Sequence, residues 1–160
     1  MGVCDILSRD RVSVASVEGE PVRTKSDALK RLSVLLANGQ SVISTDEIER
    51  VLTERERLQS TGVGGGVAIP HGSIEGLDRL IGAVLLCPTS IEFEAIDSAP
   101  VSILFAVIGP RRATAEHLKT LARVSRLLRD DHFRAKLLRA PSGAAAFDML
   151  AAEEGRLSPS

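Results

Sequence analysis

The chain of 160 residues contains no tryptophan and no tyrosine, and only four phenylalanines. Proteins that grip single-stranded nucleic acid stack bases on aromatic faces, so this poverty argues against that class. An excess of one charge is also missing. Twenty Lys and Arg face 21 Asp and Glu, for a net charge of -1, and they are spread along the chain. No basic stripe of the kind that tracks phosphate backbones is visible. There is no run of about 18 apolar residues, so nothing predicts a membrane span. The beginning, "MGVCDILSRDRV", has no apolar stretch of signal-peptide length, which points to a cytoplasmic protein. Cysteine is scarce: Cys4 and Cys87 stand alone and are expected to be reduced there. With three scattered histidines they give no metal-ligand spacing, so neither metal nor cofactor is expected. Internal repeats and low-complexity linkers are absent too. The length then predicts one domain over 1–160, and the ends "MGVC" and "EEGRLSPS" read as frayed.

What is present is a clear pattern of elements. Ala28, Leu29, Leu32, Leu35 and Leu36 recur at helical spacing and predict a helix over Thr24–Ala37, stopped by Asn38-Gly39. A second helix is predicted from Ser44 to Leu58, opened by a capping box of Ser44 and Glu47. Further helices are predicted over Thr114–Leu128 with Thr114 as N-cap, Asp130–Arg139 and Ser142–Ala152. Strands are predicted at Arg11–Ser16, at "VAIP" running up to His71, at Leu80–Cys87, at "IEFEAI" and at Val101–Gly109. Continuously apolar strands need cover on both faces. The fold class is therefore α/β or α+β: one mixed sheet of about five strands with helices on both sides.

The segment "STGVGGGVAIPHGSIEG" carries the chemistry. Four of the 13 glycines lie between Gly62 and Gly66. The run is neither a P-loop nor a dinucleotide fingerprint, since no Gly-Lys-Ser/Thr follows and Val67 stands where a third glycine belongs. Two readings stand side by side: a plain connection, or a loop of Thr61, Gly62, Gly64, Gly65 and Gly66 that aims N–H groups at an anion. His71 sits between Pro70, which stiffens the backbone, and Gly72, which clears space. A neutral imidazole so held is a nucleophile near pH 7. Arg55 occupies a position where the inward face of its helix (Ile48, Val51, Leu52) calls for an apolar residue. It is either a snorkelling side chain or a guanidinium turned toward an anion. His117, as the N3 residue of a Thr114-capped helix, is either a surface histidine of a first helical turn or a site residue kept neutral by the positive helix end, which is itself an anion site. Arg57 and His132 read as surface residues. A glycine loop, an inward Arg and neutral histidines together suit a phosphoryl group, accepted on a histidine from another protein.

These residues carry a resemblance. "RERLQSTGVGGGVAIPHGSIEGLDRLIGAVLL", with "FEAIDSAPVSILFAVIGP" and "ATAEHLKTLARVSRLLRDDHFRAKL", resembles the enzyme IIA proteins of the bacterial phosphoenolpyruvate:sugar phosphotransferase system. The match is to the fructose/mannitol superfamily and, within it, the nitrogen-regulatory type, over roughly Asp5 to Leu150. The resemblance implies a five-stranded mixed sheet, His71 as the phosphorylated histidine, Arg55 as the active-site arginine and His117 as the second histidine. It implies an HPr-like phosphocarrier (HPr or NPr) as donor. Downstream it implies regulated target proteins or a separate permease domain, with no nucleic acid and no direct membrane insertion. Two departures stand out: Ser73 replaces the basic residue common after "PHG", and the turn usually written Asp-Gly-x-Pro is Asp97-Ser98-Ala99-Pro100. The chain as given carries no permease segment, which favours the regulatory role. A sugar-specific IIA, a binding module that has lost phosphorylation and, last, a metal hydrolase are the competing readings.

Overall fold

The computed structural model of the chain describes residues 2–157. Six strands form one mixed sheet: β1 (Val12–Val14), β2 (Gly62–Gly64), β3 (Val67–Ala68), β4 (His71–Ser73), β5 (Ile81–Ile91) and β6 (Val101–Gly109). The order is β1-β5-β6-β3-β2, with β4 also pairing β6. β1 runs parallel to β5, β3 and β4 run parallel to β6, and the β5–β6 and β2–β3 pairs are antiparallel. Five α-helices cover it: α1 (Lys25–Ala37), α2 (Thr45–Leu58), α3 (Thr114–Leu127), α4 (Asp131–Leu137) and α5 (Gly143–Leu157).

The continuously apolar strands are explained by a core on each face. Successive strand residues point to opposite sides. Ala83, Leu85 and Cys87 of β5 and Leu104, Ala106 and Ile108 of β6 therefore pack beneath α1 and α2 with Leu32, Leu36, Ile48 and Leu52. Val84, Leu86, Ile103, Phe105 and Val107 face the other way, against Val124, Phe133, Leu137 and Leu150 of α3, α4 and α5. Among the described residues no helix is long and apolar enough to cross a membrane.

Several predicted boundaries move, each for a local reason. "IEFEAI" is not a separate strand: Ile91 ends β5, and Glu94 takes a left-handed φ of 55° that breaks the alternation. Its Phe93 and Ala95 are buried all the same, because the segment lies over Gly62, whose carbonyl accepts the Ile96 N–H at 3.1 Å. "VAIP" is a strand only at Val67–Ala68, and His71 opens β4 instead of closing β3. Ser44 accepts the Glu47 N–H at 3.1 Å, but the return half of the capping box is formed at α1 instead, by Thr24 and Asp27. Thr114 is not a cap. The N-cap is Ala113, and the Thr114 hydroxyl donates back to the Arg111 carbonyl at 3.2 Å. Within residues 2–157 the ends are tied down where frayed ends were predicted. Residues 3–6 form a 3-10 turn, and the N–H groups of Val3 and Cys4 donate to Glu154 of α5, which runs to Leu157. Met1 and residues 158–160 lie outside the described residues. Ser98 takes φ 61°, the conformation that favours glycine and that the usual Asp-Gly turn would supply.

Candidate functional site

β4 pairs His71 with Val107 and Gly72 with Ile108 of β6. Paired residues share a face, so His71 looks toward α3, the side of Val107, and Gly72 toward α2, the side of Ile108. This alternation builds the site. A β-carbon on Gly72 would come within 2.5 Å of Val51 Cγ1. The glycine after His71 therefore lets α2 lie directly on β4. Arg55 is one helical turn beyond Val51 and thereby reaches the end of the sheet where His71 sits. On the other side, β6 leads through Pro110–Ala113 into α3, whose fourth residue is His117. The rings of His71 and His117 are 5.7 Å apart between centroids, edge to face at 67°.

Arg55 and His71 line one cavity of about 400 Å³ together with Gln59, Thr61, Gly62, Ile69 and Leu121. His71 is half-buried, and its Nδ1 lies 2.7 Å from the Ile69 carbonyl oxygen. A carbonyl oxygen can only accept, so Nδ1 carries the proton and Nε2 keeps the lone pair. Burial pushes the His71 pKa below the ordinary histidine value. The Ile69 hydrogen bond pulls it back, the Arg55 charge lowers it again and Glu56 raises it. His117 is only 8% exposed, and its Nε2 is the one buried side-chain polar atom with no partner among the described residues. Its pKa is also lowered, by burial first and by His71 second. The prediction that it would be neutral holds in direction, but the causes are burial and the neighbouring His71. Its position is the fourth of the helix, not the third, with its N–H bonded to the Ala113 carbonyl at 2.9 Å.

Arg55 is not turned into the core. It is half-buried at the end of α2, where its Nη1 donates to the Gln59 carbonyl at 2.9 Å. The deeper position belongs to Glu56, next in sequence and absent from the residues predicted for the site. The inward stripe of α2 is Ile48, Leu52, Glu56, a strict four-residue spacing that places an acid in line with two core residues. That periodicity could have singled out Glu56 in the same way that the half-buried Val51 pointed to Arg55.

The glycine run divides. Thr61 and Gly62 wall the cavity. Gly64, Gly65 and Gly66 do not line it. They turn the β2–β3 hairpin with φ of 100°, 66° and 80°, which only glycine adopts freely. The Gly65 N–H is held by Asp97 at 3.1 Å, and the Gly66 carbonyl accepts from Ser102 and Ile103. Gly62 is required by close approach, since its β-carbon would meet Ala95 Cβ at 2.6 Å. Both donors of Thr61, N–H and Oγ1–H, already go to Glu56. Arg57 and His132 are exposed. No group of three or more His, Cys, Asp or Glu among the described residues is placed to hold a metal ion.

Comparison with known proteins agrees with the fold. Residues 12–153 match the family described as "Phosphoenolpyruvate-dependent sugar phosphotransferase system, EIIA 2". A nitrogen regulatory protein of Bradyrhizobium diazoefficiens is 39% identical over 132 residues, 81% of this chain and 84% of that one. A fructose-specific EIIA component of Haloferax volcanii is 34% identical over 151 residues, 94% of this chain and 97% of that one. The crystal structure of the nitrogen regulatory protein IIA-Ntr of Neisseria meningitidis superposes with a TM-score of 0.82 at 31% identity, covering 92% of this chain and 98% of that one. The chain thus belongs to the EIIA type 2 family of the phosphoenolpyruvate-dependent sugar phosphotransferase system, and it resembles the nitrogen-regulatory proteins of that family in sequence and fold.

Proposed function

We propose that the protein is a phosphocarrier of nitrogen-regulatory type. His71 takes a phosphoryl group on Nε2 from the phosphohistidine of a small HPr-like donor, and the chain binds regulated targets according to whether it carries that group. The observation that carries this reading is the Nδ1–H of His71 held by the Ile69 carbonyl at 2.7 Å, which leaves Nε2 as the nucleophile in a cavity shared with Arg55. In the transfer the Nε2 lone pair forms the new N–P bond. The donor's N–P bond breaks, and its electron pair returns to the donor imidazole. No proton has to move, because Nδ1–H stays on the Ile69 carbonyl and the ring takes positive charge against that oxygen. Charge on the three phosphoryl oxygens is met by the Arg55 fork and by an N–H from His117, whose buried Nε2 lacks a partner in the free protein. Aligned, pre-placed donors of this kind lower the barrier because they need no reorganisation.

The fructose-specific relative supports a second reading with the same chemistry at His71, in which the group passes to a separate permease domain. One experiment tests the shared core. The protein is incubated with phosphoenolpyruvate, enzyme I and a phosphocarrier, and its intact mass is measured. Gain of one acid-labile phosphoryl group by the wild type and none by His71→Ala is expected. No gain by the wild type, or an undiminished gain by His71→Ala, contradicts it. Capture of partners by phosphorylated and unphosphorylated protein then separates the regulator from the sugar component.

A further inference from the structure

Beside the site lies a buried ion pair that the transfer as described does not use. The Glu56 side chain is 3% exposed, and Lys25 Nζ from the first turn of α1 sits 2.9 Å from its Oε1. The same carboxylate accepts the Thr61 N–H on Oε1 at 2.8 Å and the Thr61 hydroxyl on Oε2 at 2.6 Å. Lys25 in turn lies over the Phe93 ring, 4.7 Å from its centre. Burying a carboxylate is costly unless charge and hydrogen bonds compensate it, and here every contact it makes ties α1, α2 and the start of β2 together. Thr61 is the point where this tie meets the cavity. Gln59 and Ser60 line both the His71 cavity and a cleft of about 520 Å³ on the far side, which Lys25, Glu56 and Glu94 also line. Gln59 and Ser60 thus stand between two open spaces, and Glu56 is one of the groups that anchor this segment, through the next residue, Thr61.

We infer that Glu56 is a positioning residue for phosphoryl transfer: its buried carboxylate pins the Thr61 wall of the phosphoryl cavity and balances the charge of Arg55 beside His71. This rests on His71 being the acceptor. Groups help a transition state only when they are held in place, and Glu56 takes both donors of Thr61 at that wall. The charges of Arg55 and Glu56 from α2 act on His71 with opposite sign, Glu56 is itself paired with Lys25 of α1, and the His117 ring of α3 lies beside His71. With the ring cationic after transfer, a carboxylate nearby favours the phosphorylated form. Without it, the equilibrium moves back toward the donor.

The test uses the whole protein and two readouts. Glu56→Gln keeps the shape and one accepting oxygen while removing the charge and replacing the other oxygen with an NH2 that can only donate. It should lower the NMR titration midpoint of His71, a change that a merely structural role would not produce. It should also slow phosphoryl uptake about tenfold at saturating donor, the loss typical of one charge-assisted hydrogen bond, with the donor concentration for half-maximal rate unchanged. Thr61→Val removes the hydroxyl half of the same tie, keeps the backbone N–H bond of residue 61, and leaves both carboxylate and Lys25 in place. It should slow uptake and leave the His71 midpoint where it is, and it serves as the decisive variant if Glu56→Gln does not fold. A folded Glu56→Gln with wild-type uptake and an unmoved His71 midpoint, or a folded Thr61→Val with wild-type uptake, overturns the inference. Absence of phosphorylation in the wild type would instead sink the functional reading on which it rests, while the His71 titration still reads the charge balance.

Discussion

The two helices that reach His71 do so from opposite faces of the sheet and with opposite chemistry. α2 arrives by its C-terminal end and brings a permanent cation, Arg55, whose Nη1 also answers one of the free carbonyls of that end. A cation suits a helix C-terminus. α3 arrives by its N-terminal turn and brings an imidazole that burial keeps neutral. On the function proposed, an anionic phosphoryl group on His71 would meet a charge from one side and an N–H and a positive helix end from the other. The contrast teaches that the site needs both layers of the fold, and that each layer is positioned by a different small device. On the α2 side it is the missing side chain of Gly72. On the α3 side it is the short Pro110–Ala113 exit from β6.

The largest effect should come from breaking the charged side. Arg55→Ala is expected to slow phosphoryl uptake by about one to two powers of ten, the loss of one charge-assisted contact in a partly dry cavity. Arg55→Lys should recover little of it, since an ammonium cannot present the planar fork. Uptake kinetics with a phosphorylated donor read both. The change should also raise the His71 titration midpoint, because Arg55 acts to lower it, whereas Glu56→Gln should move it down.

Next in size is the device that seats α2. Gly72→Ala places a β-carbon 2.5 Å from Val51 Cγ1, and overpacking of that order costs roughly 1–3 kcal/mol. Thermal unfolding should show the loss, and transfer should fall with it as Arg55 is lifted from His71. Val51→Ala added to Gly72→Ala should restore much of the transfer, which a direct effect of residue 72 on the chemistry would not allow.

Breaking the neutral side should cost less. His117→Ala is expected to slow uptake about tenfold, the value of a single hydrogen bond to a charged oxygen, with the phosphoryl group still found on residue 71. Mass mapping of the phosphorylated protein checks the location.

The smallest effect is on pH dependence. Both histidines have folded pKa values below the ordinary value of about 6.5. Their neutral forms are therefore favoured by folding. The stability they lend is fully present above about pH 6.5 and is lost as pH falls through the folded values. Uptake should accordingly be flat from pH 7 to 8 and decline only below about 6.5. Thermal melts and initial rates across that window give the sign directly, and a rate that falls between pH 8 and 7 would contradict it.

The sequence made much of this legible, and the limits have physical causes. His71 showed itself through its neighbours, because Pro70 and Gly72 are local constraints. Arg55 stood out because a charge on an apolar stripe is conspicuous. Glu56 did not, although it is more buried. Its partners Lys25 and Thr61 come from two other elements, and a buried acid is recognisable only once its compensating groups are in view. The glycine run misled in part. Gly64–Gly66 shape a hairpin turn, and composition alone cannot separate glycines needed for φ from glycines that free an amide for a ligand. The strand pattern resolved the core because its alternation is local, but β4 was merged with β3. The break at Ile69–Pro70 depends on β6, whose Val107 N–H turns to the Pro70 carbonyl.

The central claim is that the Ile69 carbonyl selects Nε2 of His71 as the acceptor. Nitrogen and phosphorus NMR of the phosphorylated, 15N-labelled protein measures it most directly. The account predicts a one-bond 31P–15N coupling to Nε2 of His71, with Nδ1 still carrying its proton. A coupling to Nδ1, or to either nitrogen of His117, would contradict it.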